Sequence, residues 1–121
     1  MEINKVDISE KLKLFNDYWS PKIVGELNGQ YVKLAKIKGE FIRHKHDNED
    51  EMFYVLKGKL NMEFRDKIIE INKGEFIIVP KGVEHKPFAN EEVELMLIEP
   101  TTTLNTGNIN NELTKENLKK I

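Results

Sequence analysis

Three histidines and one glutamate in the middle of the chain are the residues best suited to chemistry. His44 and His46 flank Lys45. Residues two apart on a β-strand point to the same side of the sheet, so the two imidazoles would project together while Lys45 faces away. Glu51 follows shortly, and His85 comes after a segment punctuated by Gly and Pro. Three neutral nitrogens and one carboxylate, brought together by a fold, would make a divalent transition-metal site.

Length, composition and charge limit the classes of protein to consider. The 121 residues fit one domain, and the absence of Cys excludes a disulfide framework and a thiolate zinc site. The net charge of −2 comes without a basic stripe, so we expect no nucleic-acid partner. The charged N-terminus does not look like a signal peptide, and no stretch approaches the roughly 18 apolar residues of a membrane span. We therefore expect a cytoplasmic protein with no membrane partner.

The elements that must position these residues are short β-strands. Between residues 31 and 100, β-like runs alternate with turns rich in Gly, Pro, Asn or charged residues, and eight such runs indicate a sandwich or barrel. We therefore predict an all-β fold. The expected strands are Tyr31–Lys38, Phe41–His46, Met52–Leu56, Lys59–Arg65, Lys67–Ile71, Glu75–Pro80, His85–Ala89 and Val93–Glu99.

The segments on either side of this region differ in character. Residues 1–30 form an N-terminal arm in which Asp7 and Glu10 have the spacing of a capping box, which predicts a short helix. Trp19 in this arm would cover one end of the core or contact another subunit. Residues 101–121 form a polar tail whose last ten residues have weak helical spacing. This tail is either a frayed end or a segment that packs on the barrel or on a partner subunit.

Glycine, proline and asparagine residues frame the four candidate ligands at set distances: Gly39, Gly58, Gly74, Pro80, Gly82 and Asn90. With them the chain resembles the cupin superfamily, whose two motifs read G-x5-H-x-H-x3-4-E-x6-G and G-x5-P-x-G-x2-H-x3-N. The spacings from Gly39 to His44 and from His85 to Asn90 each differ by one residue from these motifs. Residues 31–100 are similar to the small single-domain cupin_2 type, including a group often labelled mannose-6-phosphate isomerase-like.

This resemblance implies a jelly-roll-type β-barrel, with short terminal extensions, that holds one metal through His44, His46, Glu51 and His85. Glu51 is favoured over Glu49 because it keeps the six-residue spacing to Gly58. The identity of the metal stays open among Fe, Mn, Zn and Ni. By the same resemblance we expect a homodimer.

Two functions remain open at this stage. The first is a metal-dependent enzyme, dioxygenase-like or isomerase-like, acting on a small molecule. The second is a module that binds or senses a small ligand without turnover. Tyr54 is the best candidate for a substrate contact because its hydroxyl could supply a directed hydrogen bond. No second general base is evident near the motifs.

Overall fold

The computed structural model describes residues 3–121, which contain one short helix and seven strands. The helix α1 spans Ile8–Leu12. Asp7 is its N-cap and accepts a hydrogen bond from the Glu10 amide, as the capping pattern predicted. No helix in this part of the chain is long and apolar enough to cross a membrane. The strands are β1 (Lys22–Leu27), β2 (Gln30–Glu40), β3 (Glu51–Lys57), β4 (Lys59–Glu63), β5 (Ile68–Asn72), β6 (Phe76–Val79) and β7 (Lys86–Pro100).

The 15-residue strand β7 organises the sheet. It pairs antiparallel with β2 along most of its length, with β3 on its other side, and with β4 near its beginning. Strands β1, β6 and β5 extend the sheet by pairing with β2, β3 and β4 respectively. All seven strands therefore belong to one antiparallel sheet, which confirms the predicted all-β class.

The core lies on one face of this sheet because the strands alternate buried and exposed residues. In β3, for example, Glu51, Phe53 and Val55 are buried while their neighbours Met52 and Tyr54 are half-buried on the other face. The buried apolar cluster consists of Ala35, Ile37, Phe53, Val55, Leu60, Met62, Ile71, Val79, Ala89, Val93, Leu95 and Leu97.

Three strand predictions need correction. The runs expected at His85–Ala89 and Val93–Glu99 belong to the single strand β7, which absorbs the intervening polar residues at an irregularity in its pairing with β2. The segment expected as a strand at Phe41–His46 forms one isolated bridge, between His44 and His85. Strand β1 lies within the segment described above as the N-terminal arm and was not predicted.

The tail contains no helix, contrary to its weak helical spacing. It runs as a series of turns, and its end lies beside β1. There the amide of Ile23 donates to the carbonyl of Lys119, and the amide of Ile121 donates to the carbonyl of Ile23. Thr106 is fully buried, so part of this polar segment is packed against the rest of the protein.

Candidate metal centre

The backbones of His44 and His85 are directly paired. The amide of His44 donates to the carbonyl of His85 at 3.0 Å, and the reverse hydrogen bond measures 2.8 Å. The amide of Phe41 adds a bond to the carbonyl of Pro87. These bonds join two segments that are 41 residues apart in sequence, so both imidazoles project from adjacent backbone positions.

His46 is fixed from the other side by the turn after β6. Gly82 has a φ of 80°, which favours glycine, and its amide donates to the carbonyl of His46 at 2.7 Å. The amide of Val83 closes the turn on the carbonyl of Pro80. The Pro-x-Gly turn therefore delivers His85 to the centre and also anchors the segment that carries His46.

The tail provides a third anchor for this segment. The amide of Asn108 donates to the carbonyl of Lys45, and the Asn108 side chain accepts from the Lys45 amide, both at 3.0 Å. A Cβ on the neighbouring Gly107 would lie 2.1 Å from the Lys45 carbonyl oxygen. The tail therefore packs closely against the backbone between the two histidines.

Four buried side chains converge on one point. His44, His46, Glu51 and His85 each offer one ligand atom, and these atoms lie within 4.8 Å of one another. Glu51 Oε1 lies 2.9 Å from His46 Nε2 and 3.2 Å from His85 Nε2. None of the four residues is more than 4% exposed. The structure thus brings together all four residues of the predicted ligand set in a group that could hold a metal ion.

The hydrogen bonds of the imidazoles suit metal coordination. Nδ1 of His44 lies 2.9 Å from the carbonyl oxygen of Ile42, and Nδ1 of His85 lies 3.0 Å from that of Val83. A carbonyl can only accept, so Nδ1 of each ring carries a proton, and Nε2 is the ring nitrogen that faces the centre. Neither ring nitrogen of His46 has a well-oriented hydrogen-bond partner among residues 3–121. A buried ring nitrogen without a hydrogen-bond partner is suited to be a metal ligand.

The electrostatics of the centre also favour cation binding. Burial, aided by the nearby His85, lowers the pKa of His44 from 6.5 to about 4, so this imidazole is neutral at pH 7. Burial alone would raise the pKa of Glu51, but interactions with the neighbouring polar side chains of Glu99, His46 and His85 hold it well below its ordinary value. The centre therefore presents a neutral imidazole at His44 and a carboxylate at Glu51, which are the protonation states that a metal requires of these ligands.

Comparison with known proteins identifies the family. A family model described as a cupin domain matches residues 30–100, which is more than half of the chain. The chain belongs to the cupin family.

Solved structures of cupin fold agree with this assignment. A cupin-2 domain protein from Shewanella frigidimarina superimposes with a TM-score of 0.78 and is 46% identical, covering 78% of this chain and 93% of its own. Protein NMB1881 from Neisseria meningitidis gives a TM-score of 0.74 at 28% identity, covering 81% of this chain and all of its own. The predicted jelly-roll barrel of a small single-domain cupin is confirmed.

An uncharacterised protein of Bacillus subtilis, YdbB, is similar over a shorter region. It is 38% identical over 64 residues, which are 52% of this cupin. The match spans 57% of the length of YdbB.

A small pocket lies beside the four converging side chains of the cupin. Its cavity volume is about 50 Å³, a third of the roughly 150 Å³ that holds benzene in an engineered protein cavity. Trp19 and Phe41 form one wall with their rings stacked at a centroid distance of 4.8 Å, and the rings of Phe41 and His44 are nearly perpendicular at 5.5 Å. Other apolar walls come from Phe53, Pro87 and Leu97. Polar groups reach the pocket from His44, Glu51, Glu99 and Asn105.

Tyr54 was predicted to contact substrate, but the structure does not bring it to this pocket. It lies on the face of β3 opposite Glu51, since neighbouring residues of a strand point to opposite sides. Its cross-strand partner is the exposed Phe76. Phe53 lines the pocket instead. Glu49, the rejected alternative to Glu51, accepts a hydrogen bond from Thr102 outside the centre.

Two buried charged residues near the centre were missed by the sequence analysis. Glu99 lines the pocket, and its Oε1 accepts a hydrogen bond from Lys33 Nζ at 2.6 Å. A signal for Glu99 was present, because Val93, Leu95 and Leu97 alternate along β7 and the same alternation turns Glu99 inward. A second carboxyl therefore stands beside the centre, where none was expected.

Proposed function

We propose that this cupin binds one divalent transition metal through His44, His46, Glu51 and His85 and acts as a metal-dependent enzyme on a small molecule. The observation that carries the proposal is the convergence of four buried ligand atoms within 4.8 Å. Two histidine tautomers fixed by backbone carbonyls support it. When bound, such a metal supplies Lewis-acid polarisation of a carbonyl oxygen or, in the case of iron, reaction with dioxygen.

The chain's own residues would then hold and orient the substrate. Four protein ligands on an octahedral ion leave about two positions for substrate or water. The apolar walls of the pocket exclude water from this point, and the stacked rings of Trp19 and Phe41 limit the width of a ligand. No Lys or Arg is among the described residues that line the pocket, so we propose a small uncharged substrate rather than a sugar phosphate.

The experiment that tests the proposal is the metal content of untagged protein purified from its native host. Near-stoichiometric metal that is lost in a His44→Ala/His46→Ala variant supports the site. Iron would direct the search to oxygen consumption with small enols or thiols, whereas zinc, manganese or nickel would direct it to isomerisation of keto compounds. Equal, trace metal in both proteins would refute the site.

The alternative is a module that binds or senses a small ligand in the same pocket without turnover, and the size of the pocket limits such a ligand as it limits a substrate. A cavity of about 50 Å³ admits a ligand of a few atoms unless Trp19 moves. Trp19 is held by two hydrogen bonds, from its amide to the carbonyl of Lys36 and from Nε1 to the carbonyl of Lys38. Tight ligand binding by the metal-loaded protein, with no turnover across a broad panel of substrates, would favour this alternative.

We also propose that the protein is a homodimer. Strand β6 lies at one edge of the sheet, and the opposite edge strand β1 is paired with the tail only at Ile23 among residues 3–121. Exposed edges favour pairing with another chain. Strand β6 exposes Phe76 and Ile78, at 57% and 55%, and β1 exposes Leu27. Sedimentation equilibrium tests this proposal, and a monomer at micromolar concentration would contradict it.

A further inference from the structure

Lys33 and Glu99 form an ion pair inside the barrel. Lys33 lies on β2 and is 1% exposed, and Glu99 lies on β7 and is 2% exposed. Lys33 Nζ lies 2.6 Å from Glu99 Oε1. The residue directly opposite Glu99 on β2 is Tyr31, two positions before Lys33. Removing two charges from water is costly, and their attraction often does no more than offset that cost. A contribution to the stability of the fold is therefore a weak explanation for the presence of this pair.

The position of Glu99 suggests a different reason for the pair. Strands β3 and β7 pair Met52 with Ile98, so Glu51 and Glu99 lie at the next facing positions. Both side chains are buried and line the same pocket. Two carboxylates at facing positions repel each other, and burial together with Glu51 raises the pKa of Glu99 well above its ordinary value, whereas Lys33 lowers it. Lys33 is thus a nearby cation that opposes this repulsion, and the metal proposed for Glu51 would be a second.

Glu99 itself is not part of the converging group of ligand atoms. Its Oε1 accepts from Lys33, whereas its Oε2 is buried and meets no donor among residues 3–121. Glu99 thus lies beside Glu51 on the neighbouring strand, with one carboxyl oxygen bonded to Lys33 and the carboxyl group at the wall of the pocket.

We propose that the Lys33–Glu99 pair positions the Glu51 carboxylate for metal binding. Lys33 fixes Glu99, and Glu99 in turn restricts the Glu51 side chain so that Oε1 faces Nε2 of His46 and of His85. The proposal rests on the proposed metal site and names two residues that would tune it. Replacement of a residue that contacts a metal ligand, but not the metal, typically changes metal affinity by roughly 10–100-fold.

The test separates positioning from simple stabilisation of the fold. A Lys33→Met/Glu99→Leu variant replaces the pair by apolar side chains of similar size, a change that is often neutral or stabilising for folding. The dissociation constant for Co(II) is measured from its visible absorption band, and the unfolding midpoint of the metal-free protein is measured in urea. Lys22→Met is the matched control. Lys22 is also buried, with 8% of its surface exposed, and its partner Asp17 lies away from the centre.

We expect the double variant to bind Co(II) roughly 10–100-fold more weakly, with a changed absorption band, while the control binds like wild type. Glu99→Gln keeps the length of the side chain and an acceptor for Lys33, so it should retain most of the affinity. Glu99→Asp withdraws the carboxyl group by one methylene and should weaken binding even if the double variant fails to fold. Unchanged Co(II) affinity and absorption in the double variant or in Glu99→Asp would overturn the inference. Wild-type protein that binds no Co(II) would overturn the proposed metal site itself.

Discussion

His44 and His85 exchange both of their backbone hydrogen bonds, at 3.0 and 2.8 Å, so the two histidine motifs are held in register by main-chain atoms. The imidazole centroids of these residues lie 4.3 Å apart. Main-chain pairing fixes the separation of the two side chains before any metal is bound. We infer that the site is preorganised and that its loss requires removal of a side chain or displacement of one of the paired segments.

The two nearby glutamates allow a matched test of the ligand assignment. Glu51→Gln removes the carboxylate that faces both His46 and His85, whereas Glu49→Gln alters a carboxylate that contacts Thr102. We expect Glu51→Gln to weaken binding of Mn(II) by at least roughly 100-fold, because it removes a ligand. That loss is at the upper end of what replacement of a residue that contacts only a ligand would cause. Calorimetric titration measures the change. Equal affinities for the two variants would contradict the assignment of Glu51.

Gly107 allows a test of the contact between the tail and the histidine segment. Gly107→Ala places a methyl group 2.1 Å from the Lys45 carbonyl oxygen, at a φ of 55°. Overpacking of this kind costs about 1–3 kcal/mol, in addition to the backbone strain of about 1 kcal/mol. Gly29→Ala is the control, since its φ of 76° is also positive but no atom lies within 4 Å. Urea unfolding should show a larger loss for Gly107→Ala, and equal losses would mean that strain alone matters.

The low pKa of His44 predicts how the metal-free protein responds to acid. The unfolded chain binds a proton at His44 with a pKa of 6.5, whereas the folded protein does so at about 4. The unfolded state therefore takes up the proton first, and stability should fall by about 3 kcal/mol as the pH drops from 6.5 to 4. His46, His85 and Glu51 face the same ring, so the contribution of His44 must be isolated by difference.

The measurement is urea unfolding of wild type and His44→Gln between pH 7.5 and 4, both in the presence of a chelator. The difference between the two free energies of unfolding should shrink by the stated amount as the pH falls. A difference that does not depend on pH would show that His44 titrates normally in the folded protein.

Much of the site follows from sequence because it depends on local spacing. The His44-x-His46 pair, the spacing of Glu51 from Gly58 and the Pro80-x-Gly82 turn each act over a few residues. Strand β1 was also within reach, since Asn28-Gly29 is a strong hairpin signal, and both residues adopt positive φ in the structure. The residues on either side of it were interpreted as an N-terminal arm, so β1 was not predicted.

The ion pair behind the centre could not be predicted in the same way. The alternation along β7 turns Glu99 inward, but its partner Lys33 lies 66 residues away on β2. Which β2 residues lie near Glu99 depends on the register of the two strands, which places Tyr31 opposite Glu99 and Lys33 opposite Leu97. Sequence periodicity gives the face of a strand but does not give the register of a distant pairing.

The tail contacts two parts of the barrel, so its removal should affect both. Asn108 holds the backbone of Lys45 between the metal-site histidines, and the end of the tail pairs with Ile23 on the edge strand β1. Removal of residues 101–121 exposes both backbones, so we expect a lower melting temperature together with weaker Co(II) binding. Asn108→Ala removes the side-chain acceptor of the Lys45 amide, costs about 1 kcal/mol, and should affect Co(II) binding in the same direction but less. Sizing chromatography of the truncated protein shows whether the tail also supports the proposed dimer. A truncated protein with unchanged melting temperature and Co(II) affinity would mean that the tail contributes nothing to the site.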